Sequence, residues 1–301
     1  GANITLAFAQ DVTLNGYFAP FEGNLTINGG TINNTNSGAS AIEINAGKLN
    51  LNGVNIASAR HAVRIDGAVI ATIDGGNYTL NTTQGVTQHV FNISGAANVT
   101  FQDGTFVGPK GTSSDSGAAI NVKAGSNVTI EGGNYSGGKN NTLASAGTLV
   151  VTGGTFDQDP SAYLAQGYIT KYNETTSRYE VFKGVAKIEN EYFASIQDAI
   201  DAAQNNDVIV VLENIDLSTN QFVTLDNSFN TYFKVEGKAV TIDLNGKTIS
   251  GEYAIASPWL VGVFSTENNG HLTLEDNVGT AKVDITGENG EVYTLIANYE
   301  S

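Results

Sequence analysis

The sequence predicts an all-β protein wound as a parallel β-helix solenoid, and a repeated strand phrase is the main observation behind that prediction. In each copy, apolar residues alternate with Thr or Asn, which is the period of a strand with one buried face. A glycine follows and permits the positive φ that turns the chain. The six copies begin at Leu25, Leu49, Ala71, Val99, Val128 and Leu149, at spacings of 24, 22, 28, 29 and 21 residues. Repeats of this length indicate one copy per coil around a common axis.

A second repeated strand precedes four of these copies and supports the same winding. Its copies begin at Ile42, Val63, Phe91 and Ile120. Because stacked strands lie about 4.8 Å apart, aligned positions are expected to form ladders. The expected inward ladder is Ile44, Ile65, Ile93 and Val122, and the outward one is Glu43, Arg64, Asn92 and Asn121. An antiparallel sandwich of short strands is the alternative fold, but it does not explain why the same strand returns once per coil.

The pattern divides the chain into two stacked or tandem β-helix modules. In the first module, residues 1–183, we expect an incoming strand and an irregular loop over 1–22 and coils from about 23 to 158. Residues 159–183 are predicted to form a terminal cap that shields the last coil from further strand pairing. The second module, residues 184–301, is predicted to start with a capping helix at about 195–204. The apolar face of that helix holds Ile196, Ala199, Ile200 and Ala203.

The composition excludes several classes of function. The chain has no Cys, which excludes disulfides and thiol catalysis and fits a secreted protein that does not depend on redox state. The net charge is −16, and residues 184–301 carry 18 acidic against five basic side chains. Phosphate contacts need clustered Lys and Arg, so we expect no binding of nucleic acid. No run of residues is long enough to span a membrane, so we expect no membrane insertion. No cofactor and no metal site are expected, and weak calcium binding is the alternative that the acidity leaves open.

Three segments of the sequence resemble one group of proteins. They are residues 153–168 (GGTFDQDPSAYLAQGY), 185–203 (VAKIENEYFASIQDAIDAA) and 241–249 (TIDLNGKTI). They are similar to parts of large repetitive surface proteins of gut Firmicutes and related anaerobes, and the resemblance covers roughly residues 145–285. It implies a right-handed, pectate-lyase-like β-helix, export and a location at the cell surface. It implies no chemistry, because a fold does not fix a function.

The outward ladder supplies charged side chains as a first candidate site. Glu43, Arg64 and Asp66 are expected to lie together on neighbouring coils. Pectate-lyase-like enzymes cleave acidic polysaccharides with carboxylates that bind calcium and a basic residue near the scissile bond, and glycosidases use paired carboxylates. The alternative, which we favour, is an exposed cross-strand pair worth under about 1 kcal/mol. We therefore treat the three residues as candidate ligand contacts and assign no catalytic residue.

Aromatic side chains give a second set of candidate ligand contacts. Tyr17, Phe18 and Phe21 cluster before the first predicted coil, and Trp259 follows Pro258 in a predicted loop. Exposed rings stack on sugars or contact protein partners. Packing of loops over the ends of the coils is the alternative interpretation.

Two further ladders are predicted on the surface. His61 and His89 precede equivalent strands and are expected to stack on adjacent coils. Because no third ligand is evident, we interpret them as a solvated ladder rather than a metal site. Thr26, Thr72, Thr100 and Thr129 are expected to form an outward row that Asn50 interrupts. The β propensity of Thr explains that row, and an ice-binding surface is the alternative.

These observations predict an extracellular structural or adhesive module, on a cell or virion surface, that projects or binds glycan or protein partners and is not an enzyme. One alternative is a self-assembling filament, or a virion fibre or decoration subunit, formed by head-to-tail stacking of β-helix ends. The other is a polysaccharide lyase or hydrolase, which would release reducing ends or unsaturated sugars from acidic glycans.

Overall fold

A computed structural model describes residues 2–9, 11–81, 88–109, 117–138, 141–219, 223–226, 229–253, 259–287 and 296–298. It confirms an all-β, solenoid-like fold, in which these residues contain one α-helix. The chain divides into two compact units, Gly1–Phe182 and Lys183–Ser301, called here the N-terminal and C-terminal units.

The N-terminal unit consists of short strands and one 3₁₀ turn at Ser161–Tyr163. Its strands are β1 (Ala2–Ala7), β2 (Thr13–Asn15), β3 (Phe18–Asn28), β4 (Thr31–Asn34), β5 (Ile42–Asn52), β6 (Asn55–Ser58), β7 (Val63–Asp66), β8 (Val69–Asp74), β9 (Asn77–Leu80), β10 (Phe91–Ser94), β11 (Asn98–Phe101), β12 (Thr105–Val107), β13 (Ile120–Val122), β14 (Asn127–Ile130), β15 (Asn134–Ser136), β16 (Leu143–Ser145), β17 (Thr148–Val151), β18 (Thr155–Phe156), β19 (Tyr168–Asn173) and β20 (Arg178–Lys183).

Successive coils of this unit pair in parallel along three rows of strands. The first row holds β5, β7, β10, β13 and β16, the second holds β1, β3, β5, β8, β11, β14 and β17, and the third holds β2, β4, β6, β9, β12, β15 and β18. The long strand β5 belongs to the first row through its start, where Ile42 pairs with Val63, and to the second through its end, where Leu51 pairs with Ile73. The chain therefore passes through all three rows in each coil.

The first row contains the predicted inward ladder. Ile44 pairs with Ile65, Ile65 with Ile93, and Ile93 with Val122. All four side chains are fully buried, so the ladder is confirmed. Burying a side chain of this size stabilises the fold by roughly 1.5–3 kcal/mol relative to leaving it exposed. The repeat thus builds one continuous apolar core from short strands that could not bury their inner faces alone.

An aromatic column fills the core behind the third row. Its parallel stacked rings, with centroids 4.7–5.0 Å apart, belong to Tyr78, Phe106, Tyr135 and Phe156. The rings of Phe91 and Phe101 meet Phe106 edge-on, at 5.7 and 5.3 Å. The hydroxyl of Tyr78 donates to the carbonyl of Gly75, and that of Tyr135 donates to the carbonyl of Gly132. The column therefore buries two phenols without leaving either hydroxyl unsatisfied.

On the third row, the last coil of the N-terminal unit is followed by a strand of opposite direction. β20 pairs antiparallel with β18, with Phe156 opposite Tyr179. Arg178 Nη2 donates to the carbonyls of Tyr135 and Thr155 at 2.6 and 3.1 Å. An antiparallel strand breaks the parallel stacking, so this edge offers no template for another coil.

The stacked coils begin earlier than the predicted start near residue 23, because the segment predicted as an incoming strand and an irregular loop over 1–22 contains β1 and β2. β1 pairs in parallel with β3, and β2 pairs in parallel with β4. β1 and β2 therefore already belong to the stacked coils. Among the described strands, none pairs with the outer edge of β1 or β2.

The C-terminal unit contains helix α1 (Ile196–Ala202), a 3₁₀ turn (Leu217–Thr219) and twelve strands in the residues described. The strands are β21 (Ala186–Ile188), β22 (Glu191–Phe193), β23 (Asp207–Val211), β24 (Ile215–Asp216), β25 (Val223–Asp226), β26 (Phe229–Glu236), β27 (Ala239–Asp243), β28 (Thr248–Tyr253), β29 (Trp259–Glu267), β30 (His271–Glu275), β31 (Lys282–Gly287) and β32 (Ile296–Asn298).

This unit again winds along three parallel rows, which are β23–β27–β30, β24–β28–β31 and β26–β29–β32. Helix α1 lies at its start, where the Ser195 hydroxyl accepts the Asp198 backbone N–H at 3.0 Å. At the other end of the helix, Lys238 Nζ donates to the carbonyls of Ile200, Asp201 and Ala203 at 2.8–3.0 Å. A cation there satisfies the unpaired carbonyls and the negative end of the helix dipole.

Candidate functional site

The structure brings together the charged cluster predicted on the outward ladder. Glu43 pairs with Arg64 across β5 and β7. Arg64 Nη1 donates to Glu43 Oε1 at 3.2 Å, and its Nη2 donates to Asp66 Oδ2 at 2.7 Å. The other oxygen of Asp66 accepts the hydroxyl of Ser94, one coil further on, at 2.9 Å. One guanidinium therefore links two carboxylates along the surface of the first row.

The three side chains form one network of paired charges. The Arg64 guanidinium is hydrogen-bonded to the carboxylates of both Glu43 and Asp66, so none of these three charged groups is unpaired. Within the described part of the chain, no group of three or more Asp, Glu, His or Cys side chains is placed to hold a metal ion. Glu43, Arg64 and Asp66 offer a half-exposed patch of paired charges that can hydrogen-bond to hydroxyl groups of a ligand.

Replacing Arg64 by Gln is expected to change the free energy of unfolding by less than about 1 kcal/mol, because the pair is partly exposed and screened by solvent. Urea denaturation followed by circular dichroism measures the change. Lys123→Gln, which removes an exposed cation of the same unit, is the control. A loss of several kcal/mol specific to Arg64→Gln would contradict a ladder of solvent-screened ion pairs.

The predicted aromatic cluster does not form one exposed surface. Phe18 pairs with Ile42 and Phe21 with Ile44, so both belong to β3, and their half-buried rings pack against the core. Tyr17 is 47% exposed. Trp259 opens β29 rather than lying in a loop, which corrects its predicted location, and its side chain is outside the described part of the structure. Of these four residues, Tyr17 is thus the one whose ring is shown to be open to a ligand.

The two histidines stack on adjacent coils as predicted, but they are less solvated than expected. Their rings are 5.9 Å apart and nearly parallel, at an angle of 4°. His61 is only 7% exposed, and His89 is half-buried. His61 Nδ1 accepts the backbone N–H of His89 at 3.0 Å, and His89 Nδ1 accepts that of Ala118 at 2.9 Å. The imidazoles therefore link neighbouring coils in their neutral form.

The pKa of both histidines is lowered from 6.5 to about 4, chiefly by burial. For His61, the charges of Arg60 and Arg64 contribute to this lowering, and the hydrogen bond with the backbone of His89 opposes it. The unfolded chain then binds more protons than the folded chain between pH 6.5 and 4, so stability is expected to fall as the pH falls through this window. For the buried His61, a pKa shift of this size changes the free energy of unfolding by at most about 3 kcal/mol across this pH window.

His61→Asn is expected to flatten the pH dependence of stability between pH 6.5 and 4. An Asn side chain can accept the same backbone N–H but does not titrate. Urea midpoints at several pH values compare the variant with the parent and with His271→Asn, which removes an exposed histidine of the other unit. An unchanged slope in His61→Asn would show that His61 is not held neutral by burial.

One column of outward positions on the second row is polar from β3 to β14. Thr26 pairs with Asn50 and Asn50 with Thr72, and the row continues through Thr100 and Thr129. Asn50 does not interrupt it, because its amide donates to the hydroxyl of Thr26 at 3.3 Å.

Amide ladders that the sequence analysis did not identify flank this row. The bonded pairs are Asn24 to Asn3 (2.6 Å), Asn52 to Asn28 (2.6 Å) and Asn127 to Asn98 (3.0 Å). On the first row, Asn121 donates to Asn92 at 2.7 Å and is only 5% exposed, although it was expected to face outward into solvent. The recurrence of Asn at aligned strand positions is the signal that could have predicted these ladders.

A groove beside α1 was also not identified from the sequence. It has a volume of about 510 Å³ and is lined by Gln197, Ile200, Asp201, Val223, Lys234, Glu236 and Lys238. Lys234 Nζ lies 2.8 Å from Glu236 Oε2 and 3.5 Å from Glu267 Oε2. The hydrogen bond to Glu236 raises the pKa of Lys234. Lys234 binds carboxylates and Lys238 binds carbonyls at the end of α1. Both lysines that line the groove are therefore paired, and Lys238 fixes the end of the helix.

None of the described helices is long and apolar enough to cross a membrane. No family model, curated protein or solved structure matches the chain.

Proposed function

We propose that this chain is an extracellular structural and adhesive module, built as a right-handed parallel β-helix of the pectate-lyase-like type in two modules. The observation that carries the proposal is the mutual pairing of its outward side chains. Arg64 joins Glu43 and Asp66, and Asn side chains bond to Asn side chains one coil away. Such pairing supports a rigid polar surface along the coils.

The partners proposed for this surface are glycans or proteins at a cell or virion surface. Hydroxyl-rich glycans fit a face of hydrogen-bonding amides, hydroxyls and paired charges, and the exposed ring of Tyr17 can stack on a sugar. The absence of Cys supports an extracellular location. We propose no cofactor, and calcium enters only as weak binding to surface carboxylates.

A glycan array probed with the whole chain tests the adhesive role. Binding that weakens in Arg64→Ala and in Tyr17→Ala, but not in Lys123→Ala, is the expected result. Failure to bind any glycan, together with failure to bind cells bearing surface protein, would contradict adhesion. Release of reducing ends or unsaturated sugars from acidic glycans, abolished by Arg64→Ala or Asp66→Ala, would instead establish the lyase or hydrolase alternative.

A second candidate function is self-assembly through the ends of the solenoid, as in a filament or in a virion fibre or decoration subunit. The end of the first row in the N-terminal unit favours it, since among the described strands β16 pairs only with β13. Negative-stain electron microscopy at several concentrations, with and without calcium, tests it. End-joined particles would support assembly, and single short rods under every condition would contradict it.

A further inference from the structure

One column of side chains on the second row carries hydroxyl groups that the described protein leaves open. The column faces outward, is half-buried, spans five successive coils and consists of Thr26, Asn50, Thr72, Thr100 and Thr129. Within it, the Asn50 amide donates to the Thr26 hydroxyl at 3.3 Å. Among the described residues, none bonds to the hydroxyl of Thr72, Thr100 or Thr129. These three hydroxyls are therefore open to a ligand that donates or accepts hydrogen bonds.

Several outward polar groups on the other two rows are instead bonded to one another along the coils. On the first row, Arg64 is bonded to Glu43 and Asp66. On the third row, the amide of Asn77 donates to that of Asn55 at 2.9 Å. The column on the second row differs from these ladders because it keeps aligned hydroxyls without a bond to the next coil.

The geometry of this face fits a ligand that repeats in one direction. Stacked strands lie about 4.8 Å apart, so the column places a hydroxyl or an amide at that interval over roughly 19 Å. The neighbouring outward column does not repeat in the same way, because Lys48 and Ile70 interrupt its Asn residues. A crystal surface such as ice needs a match in two directions. A single extended chain that lies along the column needs a match in one.

The charges around the column favour an uncharged chain. The column contains no ionisable side chain, and Lys48 and Asp74 beside it carry opposite charges. The whole protein has a net charge of −16, which repels polyanions such as polymers of uronic acids. Hydroxyls and amides both donate and accept hydrogen bonds, which suits the hydroxyl groups of neutral sugars. The units of an extended neutral polysaccharide also repeat at a length close to the spacing of the coils.

We propose that the second row of the N-terminal unit binds a single extended chain of a neutral polysaccharide, laid along the column from Thr26 to Thr129. Each coil contributes a weak hydrogen bond, and a ligand that reaches several coils gains affinity from their number. The surface lies on a different row from the charged cluster around Arg64. The inference rests on the proposed adhesive function in taking a glycan as the partner, and it adds the class of glycan and a second surface.

Pull-down of the whole chain with insoluble cellulose, chitin and mannan tests the proposal. Binding to at least one of them is expected, and the affinity for its soluble oligosaccharides should rise from the disaccharide to the pentasaccharide. Thr72→Val combined with Thr100→Val should weaken this binding by about tenfold or more, because two hydrogen bonds to the ligand are lost. Val keeps the branched shape and the β propensity of Thr but has no hydroxyl.

A matched pair of substitutions on another row is the control. Thr79→Val combined with Thr105→Val, at half-buried outward positions of the third row, should leave the binding unchanged. Arg64→Ala should also leave binding to the neutral polysaccharide unchanged. Far-UV circular dichroism verifies folding, which the substitutions should preserve because Val150 already occupies the corresponding position in the last coil. Thr100→Val alone takes the place of the double variant if that variant fails to fold.

The possible outcomes separate this inference from the adhesive function on which it rests. Failure to bind cellulose, chitin and mannan would overturn the inference, while adhesion to other glycans or to proteins is decided by the glycan array and the cell assay. Binding that Arg64→Ala abolishes and the second-row variant leaves unchanged would support adhesion through the charged cluster and overturn the second-row site. Equal weakening by the two pairs of Thr→Val substitutions would overturn it as well. Inhibition of ice recrystallisation without binding to any polysaccharide would overturn the linear ligand and assign the column to ice.

Discussion

Replacing Phe106 by Ala is expected to lower the free energy of unfolding of the N-terminal unit by about 3–5 kcal/mol, which is the usual cost of removing a buried aromatic ring. Phe106 is fully buried in the aromatic column. Its ring stacks on Tyr78 at 5.0 Å and on Tyr135 at 4.7 Å, which belong to the coils on either side. The substitution therefore leaves a cavity and also removes the contact that joins three successive coils.

The position within a solenoid strengthens this effect. Each coil contacts only its neighbours, so the stability of the unit is close to a sum of coil terms and interface terms. The loss of Phe106 weakens two interfaces at once, and the edge-on contacts to Phe91 and Phe101 disappear with it. Such aromatic pairs contribute about 0.5–1.5 kcal/mol each beyond the area they bury.

Urea denaturation followed by far-UV circular dichroism measures the loss. The single Trp of the chain, Trp259, lies in the C-terminal unit, so its fluorescence gives a separate transition that should not move. Val107→Ala, at the next and outward-facing position of β12, should cost less than about 1 kcal/mol. Equal costs for Phe106→Ala and Val107→Ala would show that the column does not hold the coils together.

Much of the fold could be predicted because the repeat marks inward positions directly. The alternation around Ile44 and Ile65 identified the buried ladder, and the spacing of the copies placed Glu43 beside Arg64. The buried ladder and the Glu43–Arg64 pair both consist of residues one coil apart, and the spacing of a repeat predicts which residues those are. The sequence does not specify whether a coil is covered. Ile4 and Leu25 follow the same pattern, yet their exposures are 38% and 1%.

The beginning of β3 could not be predicted because the strand is irregular there. Pro20 has no N–H to donate, and the pairing register shifts on both sides of Phe21. The period of two is broken at that point, so the segment resembled a loop carrying exposed rings. The groove beside α1 could not be predicted for a different reason. Lys234 and Glu267 are brought together by the pairing of β26 with β29, and between these two strands the chain passes through β27 and β28.

The second large expected effect concerns adjacent glycines at the turn between β8 and β9. Gly75 and Gly76 both have positive φ, at +74° and +89°. At Gly76 an added Cβ would overlap the carbonyl oxygen of Val54 in the preceding coil and would lie 2.7 Å from its carbonyl carbon. At Gly75 the nearest atom, the Cα of Gly53, would be 3.6 Å away, which is ordinary contact.

Gly75→Ala should therefore cost only the strain of a left-handed side chain, about 1–2 kcal/mol. Gly76→Ala carries the same strain and must also displace backbone that cannot rotate away as a side chain can, which adds roughly 1–3 kcal/mol. The two positions have similar backbone conformations but differ in the space open to an added Cβ. The difference between the urea midpoints of the two variants therefore measures the effect of the close contact between successive coils. If the two variants were equally stable, the coils at this turn would be farther apart than the structure places them. A larger loss in Gly76→Ala would show why the repeat keeps glycine where two coils are closest.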